Sequence, residues 1–167
     1  MADLKSITKA GVPAALRKAE RYRFLNDAWA AESICRDVLE AEPENQEALV
    51  MLLLSITDQF PQLRADGVTH AREVLPRIAD EYRRTYYGGI ICERRAAALL
   101  RQHAPGAGEV AYQWLHEAME HYARAESLRP AGNDESILRW NTCVRMMHAN
   151  PSVHPPAARE YVPDLEE

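Results

Sequence analysis

The stretch VLEAEPENQEAL, Val38–Leu49, holds an ending and a beginning side by side. Pro43 has no backbone N–H and cannot continue a helix, while Asn45 is a good N-cap for the next one. Upstream, Ala31, Ile34, Cys35 and Val38 recur at helical spacing. Downstream, Leu49, Met51, Leu52, Leu53, Leu54 and Ile56 make the segment from about Gln46 to Gln59 apolar nearly all round. Such a helix has to be covered on most of its sides. Val38–Leu49 therefore reads as the turn between two helices packed into one core.

The same pattern extends both ways. Pro13 suits the first turn of a helix running to about Leu25, with Leu16, Ala19 and Tyr22 on one side. Asn26 tolerates left-handed geometry and Asp27 is an N-cap, so a tight turn is expected there. After the loop FPQLRADG, a fourth helix carries Ala71, Val74, Leu75 and Ile78, with Pro76 bending it. YYGG, Tyr86–Gly89, marks either a close approach or a break before a fifth helix that reaches Leu99 and Leu100. HAPGAGE, His103–Glu109, is a loop. A sixth helix contains Trp114–Leu128, RPAGND ends it and caps a seventh, and that last helix has Ile137, Trp140, Val144 and Met147 on its stripe. Alternating strand patterns with hairpin dipeptides are absent. The expectation is an all-α chain of about seven helices: one domain over residues 1–149, then an irregular, proline-rich tail over 150–167.

Composition narrows the class. An apolar share of 47% with 27% charged residues is that of a globular protein. Net charge is −5 without a block of either sign, which argues against nucleic acid as the partner. The longest apolar run, Ala48–Ile56, is about half the roughly 20 residues of a membrane-spanning helix. The N-terminal residues lack the apolar core of a secretory signal, so a cytoplasmic protein with no membrane partner is expected. Cys35, Cys92 and Cys143 form no CxxC pair and lie on apolar stripes, as plain core residues of a reducing compartment would. No histidine stands near any of them in the pattern of a catalytic thiol.

Aligning the chain on Pro43 and Pro130 brings out a repeat. Alanine stands twelve residues before each proline (Ala31, Ala118), and a bulkier group eight before (Cys35, Tyr122). Five before are Val38 and Ala125, and four before are Leu39 and Glu126. With Ala19, Tyr22 and the Asn26–Asp27 turn, this spacing resembles the tetratricopeptide-repeat family, well over Pro13–Leu54 and in part over Val110–Val144. The resemblance implies a right-handed α-α superhelix of helical hairpins that binds a protein or peptide in a groove, without catalysis or cofactor. Two departures stand out. The prolines are 87 residues apart, which no whole number of roughly 34-residue repeats explains. The middle is therefore an expanded or degenerate repeat, and Glu109 sits where the last repeat should have an aromatic residue. A non-repetitive helical bundle is the other architecture.

By that resemblance the groove-facing positions are Arg17, Glu20 and Arg23, then Met51, Leu54 and Asp58, then Arg139, Thr142 and Arg145. Family members that hold acidic chaperone tails use a lysine–asparagine clamp. Leu16, Glu20 and Met51 stand at the matching places, so that specificity is not expected. A second surface comes from composition: Arg83, Arg84, Arg94 and Arg95 alternate with Tyr82, Tyr86 and Tyr87, residues favoured at binding hot spots. Its plain alternative has Glu81 and Glu93 neutralising the charge and the tyrosines in the core. In the tail, Tyr161, Val162 and Leu165 could dock in this groove or in a neighbour's, or stay flexible.

The most conspicuous chemistry lies in His116–His121, two histidines and two glutamates within one stretch. A zinc-hydrolase helix needs its histidines four apart. These are five apart and roughly 140° round the helix, so one ion cannot take both. His116 with Glu120, or Glu117 with His121, offers two ligands, and no nearby cysteine or histidine completes the set of three that zinc requires. A solvated helix face is the expected reading, with a small metal-dependent enzyme as its rival. Self-association, covering the apolar third helix, is a further possibility. Ser–His–Asp sets, phosphate-cradling glycine loops and paired carboxylates do not occur at usable spacings.

Overall fold

The computed structural model describes residues 2–62 and 66–156 of the chain. Seven α-helices carry them, with no strand among the described residues: α1 Val12–Phe24, α2 Ala28–Ala41, α3 Gln46–Asp58, α4 Asp66–Val74, α5 Glu81–Gln102, α6 Ala107–Leu128 and α7 Glu135–Ala149. None of them is long and apolar enough to cross a membrane. The turn chemistry read from sequence acts as expected. Asn26 takes a left-handed conformation at φ 58°, and Asp27 accepts from the Ala30 amide at 3.1 Å. Asn45 caps α3 by accepting from the Ala48 amide at 2.9 Å. So short a link between α1 and α2 leaves α2 no course but back along α1.

Helix α3 is covered as its composition requires. Leu49, Met51, Leu52, Leu53 and Ile56 are all buried, among residues from α1, α2, α4 and α5. Its two buried polar residues turn inward at no cost in lost bonds: Ser55 Oγ donates to the Met51 carbonyl and Thr57 Oγ1 to that of Leu54. Since α3 is covered within one chain, it gives no cause for self-association. α1 meets α3, and α3 meets α5, so alternate helices touch as well as consecutive ones.

Four expectations need correction. Pro76 does not bend α4 but ends it; Leu75–Arg77 forms a 3-10 turn, because proline's ring and missing N–H break the α-helical ladder. YYGG is not a break, since α5 runs through it uninterrupted for 22 residues. The loop after α5 closes by Gly106, so Gly108 and Glu109 belong to the first turn of α6. The middle of the chain instead holds two 22-residue helices, α5 and α6, packed on each other. Lastly, α7 buries Ser136 and Cys143 and leaves Trp140 36% exposed, so its buried face is turned from the expected stripe. After α7, residues 151–156 form no helix or strand, Val153 is buried, and a Cβ on Gly108 would run into the Ser152 carbonyl.

Close approach is what the glycine pair supplies. A Cβ at Gly88 would lie 2.8 Å from the His121 ring, and one at Gly89 2.5 Å from the Tyr122 ring. Glu81 pairs with Arg124 further along, so α5 and α6 run antiparallel. Alanine at position 89 gains about 1 kcal/mol of helix propensity but forces aside a ring that is 1% exposed. Overpacking of that kind costs about 1–3 kcal/mol, so it prevails. Gly89→Ala should lower unfolding stability by up to about 2 kcal/mol, read from the denaturant midpoint. An unchanged or raised midpoint would show that the two helices have room to spare.

Candidate functional site

Alternate helices are stitched together by charge. Arg23 on α1 donates through Nε to Asp58 Oδ2 on α3 at 2.8 Å, and its Nη1 lies 4.0 Å from Met51 Sδ. Arg94 on α5 grips the end of α3 through Nη1, which donates to the other oxygen of Asp58, to Thr57 Oγ1 at 2.6 Å and to the Leu54 carbonyl at 3.1 Å. One residue back, Glu93 accepts from Arg139 of α7 at 3.1 Å through Oε1. Its Oε2 accepts from the buried Tyr122 hydroxyl at 2.6 Å. The result is a strip of alternating charge from α1 through α3 and α5 to α7.

Three guanidinium groups face two carboxylates, which leaves the strip one unit positive on a chain whose net charge is −5. Glu93 is buried and the other side chains are half-buried, with Asp58 at 28% and Arg94 at 24% exposure, so the charges interact more strongly than at an open surface. Arg94 makes its bonds through Nη1 alone, and among the described residues its remaining N–H groups have no acceptor. A guanidinium with spare donors presents the fork that takes a carboxylate or phosphate.

Of the residues singled out from sequence, the structure brings Arg23, Met51, Leu54, Asp58, Arg94, Arg139 and Tyr86 to this strip. Tyr86 is buried beside Arg139, stacked on Tyr82, tilted against Tyr122 and edge-on to Tyr87. Arg17 and Glu20 are exposed on α1; Arg17 lines an open cavity of about 480 Å³ with Lys18, Arg21, Tyr22 and Leu25. Arg145 is exposed on α7, and Thr142 donates to the Leu138 carbonyl. Arg83 and Tyr87 line a smaller hollow of about 320 Å³ near Pro130 and Asn133. Tyr161, Val162 and Leu165 lie outside the described residues.

The arginine–tyrosine surface is not one surface. Arg84 turns back to donate to the carbonyls of Ile78 and Ala79, holding the link into α5. Tyr82 and Tyr86 are core residues, and Arg95, half-buried, stands one step of about 100° round from Arg94. Glu93 is the residue missed. Read as a neutralising neighbour, it is 6% exposed and joins three helices, which only contacts distant in sequence reveal.

The His116–His121 set divides in two. His116 and Glu120 are exposed and face each other at 3.4 Å. Glu117 and His121 turn towards α5 instead and meet Cys92 there, which corrects the expectation that no cysteine completes a set of three. Burial pushes the thiols of Cys35, Cys92 and Cys143 up to about 12 and lowers the His121 imidazole from its ordinary value. Free thiolates are thus disfavoured at all three cysteines, which is inert core chemistry for a nucleophile. No family model, curated protein or solved structure matches this chain.

Removing Asp58 leaves Arg23 and Arg94 without their shared acceptor and facing each other. Breaking a fully buried pair costs about 3–5 kcal/mol, and the partial exposure here discounts that. Asp58→Ala should cost about 1–2 kcal/mol, whereas Glu81→Ala in the exposed pair with Arg124 should cost under about 0.5 kcal/mol. Equal losses in urea unfolding would mean that the strip adds nothing beyond an ordinary surface ion pair.

Proposed function

We propose that the chain is a protein–protein interaction module, a right-handed α-α superhelix like that of tetratricopeptide repeats, whose alternate helices line a groove for a peptide or protein partner. The observation that carries this reading is the strip of half-buried charge across α1, α3, α5 and α7. The consecutive helical pairs and the contacts between alternate helices support the superhelix. A pre-formed groove lowers the ordering cost of capture, because its side chains are already held by one another. The surplus positive charge favours a partner segment carrying a carboxylate, with Leu54 beside it for apolar contact. The groove reading needs no catalysis, and a cytoplasmic setting suits three unpaired cysteines.

Peptide selection tests the proposal. A random display library panned on the full chain should enrich acidic segments. Their affinity should fall at least about tenfold in the Arg139→Gln variant, the scale expected for one charge-assisted bond of about 1.5–3 kcal/mol. No enrichment, or binding indifferent to Arg139→Gln and to Arg17→Glu with Arg145→Glu, would overturn it.

Self-association is a second reading with a specific observation behind it. Phe24, Leu25 and Trp29 crowd the α1–α2 turn at 78%, 65% and 73% exposure. Large apolar groups so open and so close together mark contact sites. A concentration-dependent dimer in sedimentation should become monomeric on Phe24→Ser with Trp29→Ser. A wild-type chain that stays monomeric at high concentration would remove this reading.

A further inference from the structure

The face of α5 opposite Arg94 carries a different chemistry. Cys92 stands two residues back, about 200° round the helix, and is buried against α6. There, Glu117 and His121 are four apart and project the same way. One ligand atom from each of Cys92, Glu117 and His121 falls within 4.8 Å of the other two. The site does not depend on the groove reading, since it lies on another face and uses none of the groove's residues.

We infer that these three residues form a binding site for a zinc-class divalent cation that ties α5 to α6. The donor set is thiolate, imidazole and carboxylate, the mixture that a borderline-soft tetrahedral ion takes. At bond lengths of about 2.0–2.3 Å a tetrahedral ion asks for donors roughly 3.3–3.6 Å apart. A contraction of about 1 Å is within reach of side-chain rotation about χ angles. Cys92 loses its thiol proton to solvent as the metal–sulfur bond forms, and His121 binds as neutral imidazole. With three protein ligands and a half-buried rim, the fourth position is open to water or to a donor from a partner.

Two surrounding features fit the site. Gly88 leaves the His121 ring its place, because a Cβ there would lie 2.8 Å from the ring. Arg72 of α4 donates to Glu117 Oε1 at 2.8 Å while lying over the Trp114 ring at 5.1 Å. A metal-bound carboxylate is ordinarily held from behind in this way, leaving its second oxygen for the ion. The arginine's positive charge also opposes a cation, so the site favours an ion that gains from the thiolate over one that depends on charge alone, such as calcium or magnesium.

Cobalt(II) titration of the metal-free full chain is the test. One equivalent should bind, giving a thiolate-to-cobalt band in the near ultraviolet and the visible bands of a four-coordinate ion, both displaced by zinc. Cys92→Ser and His121→Ala should each weaken binding about 100-fold or more, while Cys143→Ser and His116→Ala leave it unchanged. Gly88→Ala keeps every ligand and favours the helix, yet crowds the imidazole, so it should weaken binding about tenfold. Far-ultraviolet circular dichroism confirms that each variant is folded, and the Gly88→Ala result decides the matter if Cys92→Ser unfolds. Zinc should raise the midpoint of thermal unfolding in the wild type and not in His121→Ala. Absence of the thiolate band, or equal affinity in Gly88→Ala and wild type, overturns the inference.

Discussion

A buried carboxylate must have partners for both its oxygens, and Glu93 meets that demand across three helices. Its own helix, α5, brings it to 6% exposure, where an unpaired charge would be costly by several kcal/mol. Tyr122 of α6 satisfies one oxygen and Arg139 of α7 the other. Burial and the neighbouring Glu93 charge both raise the Tyr122 hydroxyl far above its ordinary range, so it remains a donor under all ordinary conditions. Because neither partner can leave without exposing the other's loss, the relative placement of α5, α6 and α7 is fixed by a single acid. Gly89 then follows as a requirement: Tyr122 reaches Glu93 with its ring lying where a Cβ at position 89 would be.

The apolar residues form two cores rather than one. The first gathers α1 to α4 with Ile91 and Ala98 of α5, and the second gathers α5 to α7 with Val153. Leu54, Tyr87 and Trp114 pack against both. Apolar contact of this kind is non-directional and would tolerate sliding of one half on the other. The bonds from Arg94 to Asp58, Thr57 and Leu54 are directional, and they fix the register between the halves at the C-terminal end of α3. Packing thus supplies the adhesion, while the ion pairs set the geometry.

Local chemistry was legible in the sequence, and distant pairing was not. Asn26, Asp27, Asn45 and Pro43 announce their turns through properties of the residue itself, and the structure uses each of them so. The all-α class and the enclosure of α3 follow from periodicity. Gly88–Gly89 was ambiguous because a glycine that breaks a helix and one that admits a neighbour look alike until the neighbour is known. Helix α7 misled because Trp140 is its largest apolar residue, yet small groups, Ser136 and Cys143, sit where the helix must come close. Reading along α6 could not find Cys92, which stands 25 residues before Glu117 in sequence and reaches it only through the antiparallel register of α5 and α6.

That register also explains how one short stretch serves several ends. Cys92, Glu93 and Arg94 are consecutive, and steps of about 100° point them at three different neighbours. Cys92 faces Glu117 and His121 of α6 near Arg72 of α4, Glu93 faces Tyr122 and Arg139, and Arg94 faces the end of α3. A helix at the edge of a bundle could not do this, since one side would face solvent. α5 can because α3, α4 and α6 pack on it and Arg139 reaches it from α7, so that Cys92, Glu93 and Arg94 each find a partner beside apolar residues such as Ile90, Ile91 and Ala96. A change at Arg94 therefore acts on the contact with α3, whereas changes at Cys92 and at Glu93 both act on the contact with α6, and the latter on α7 as well.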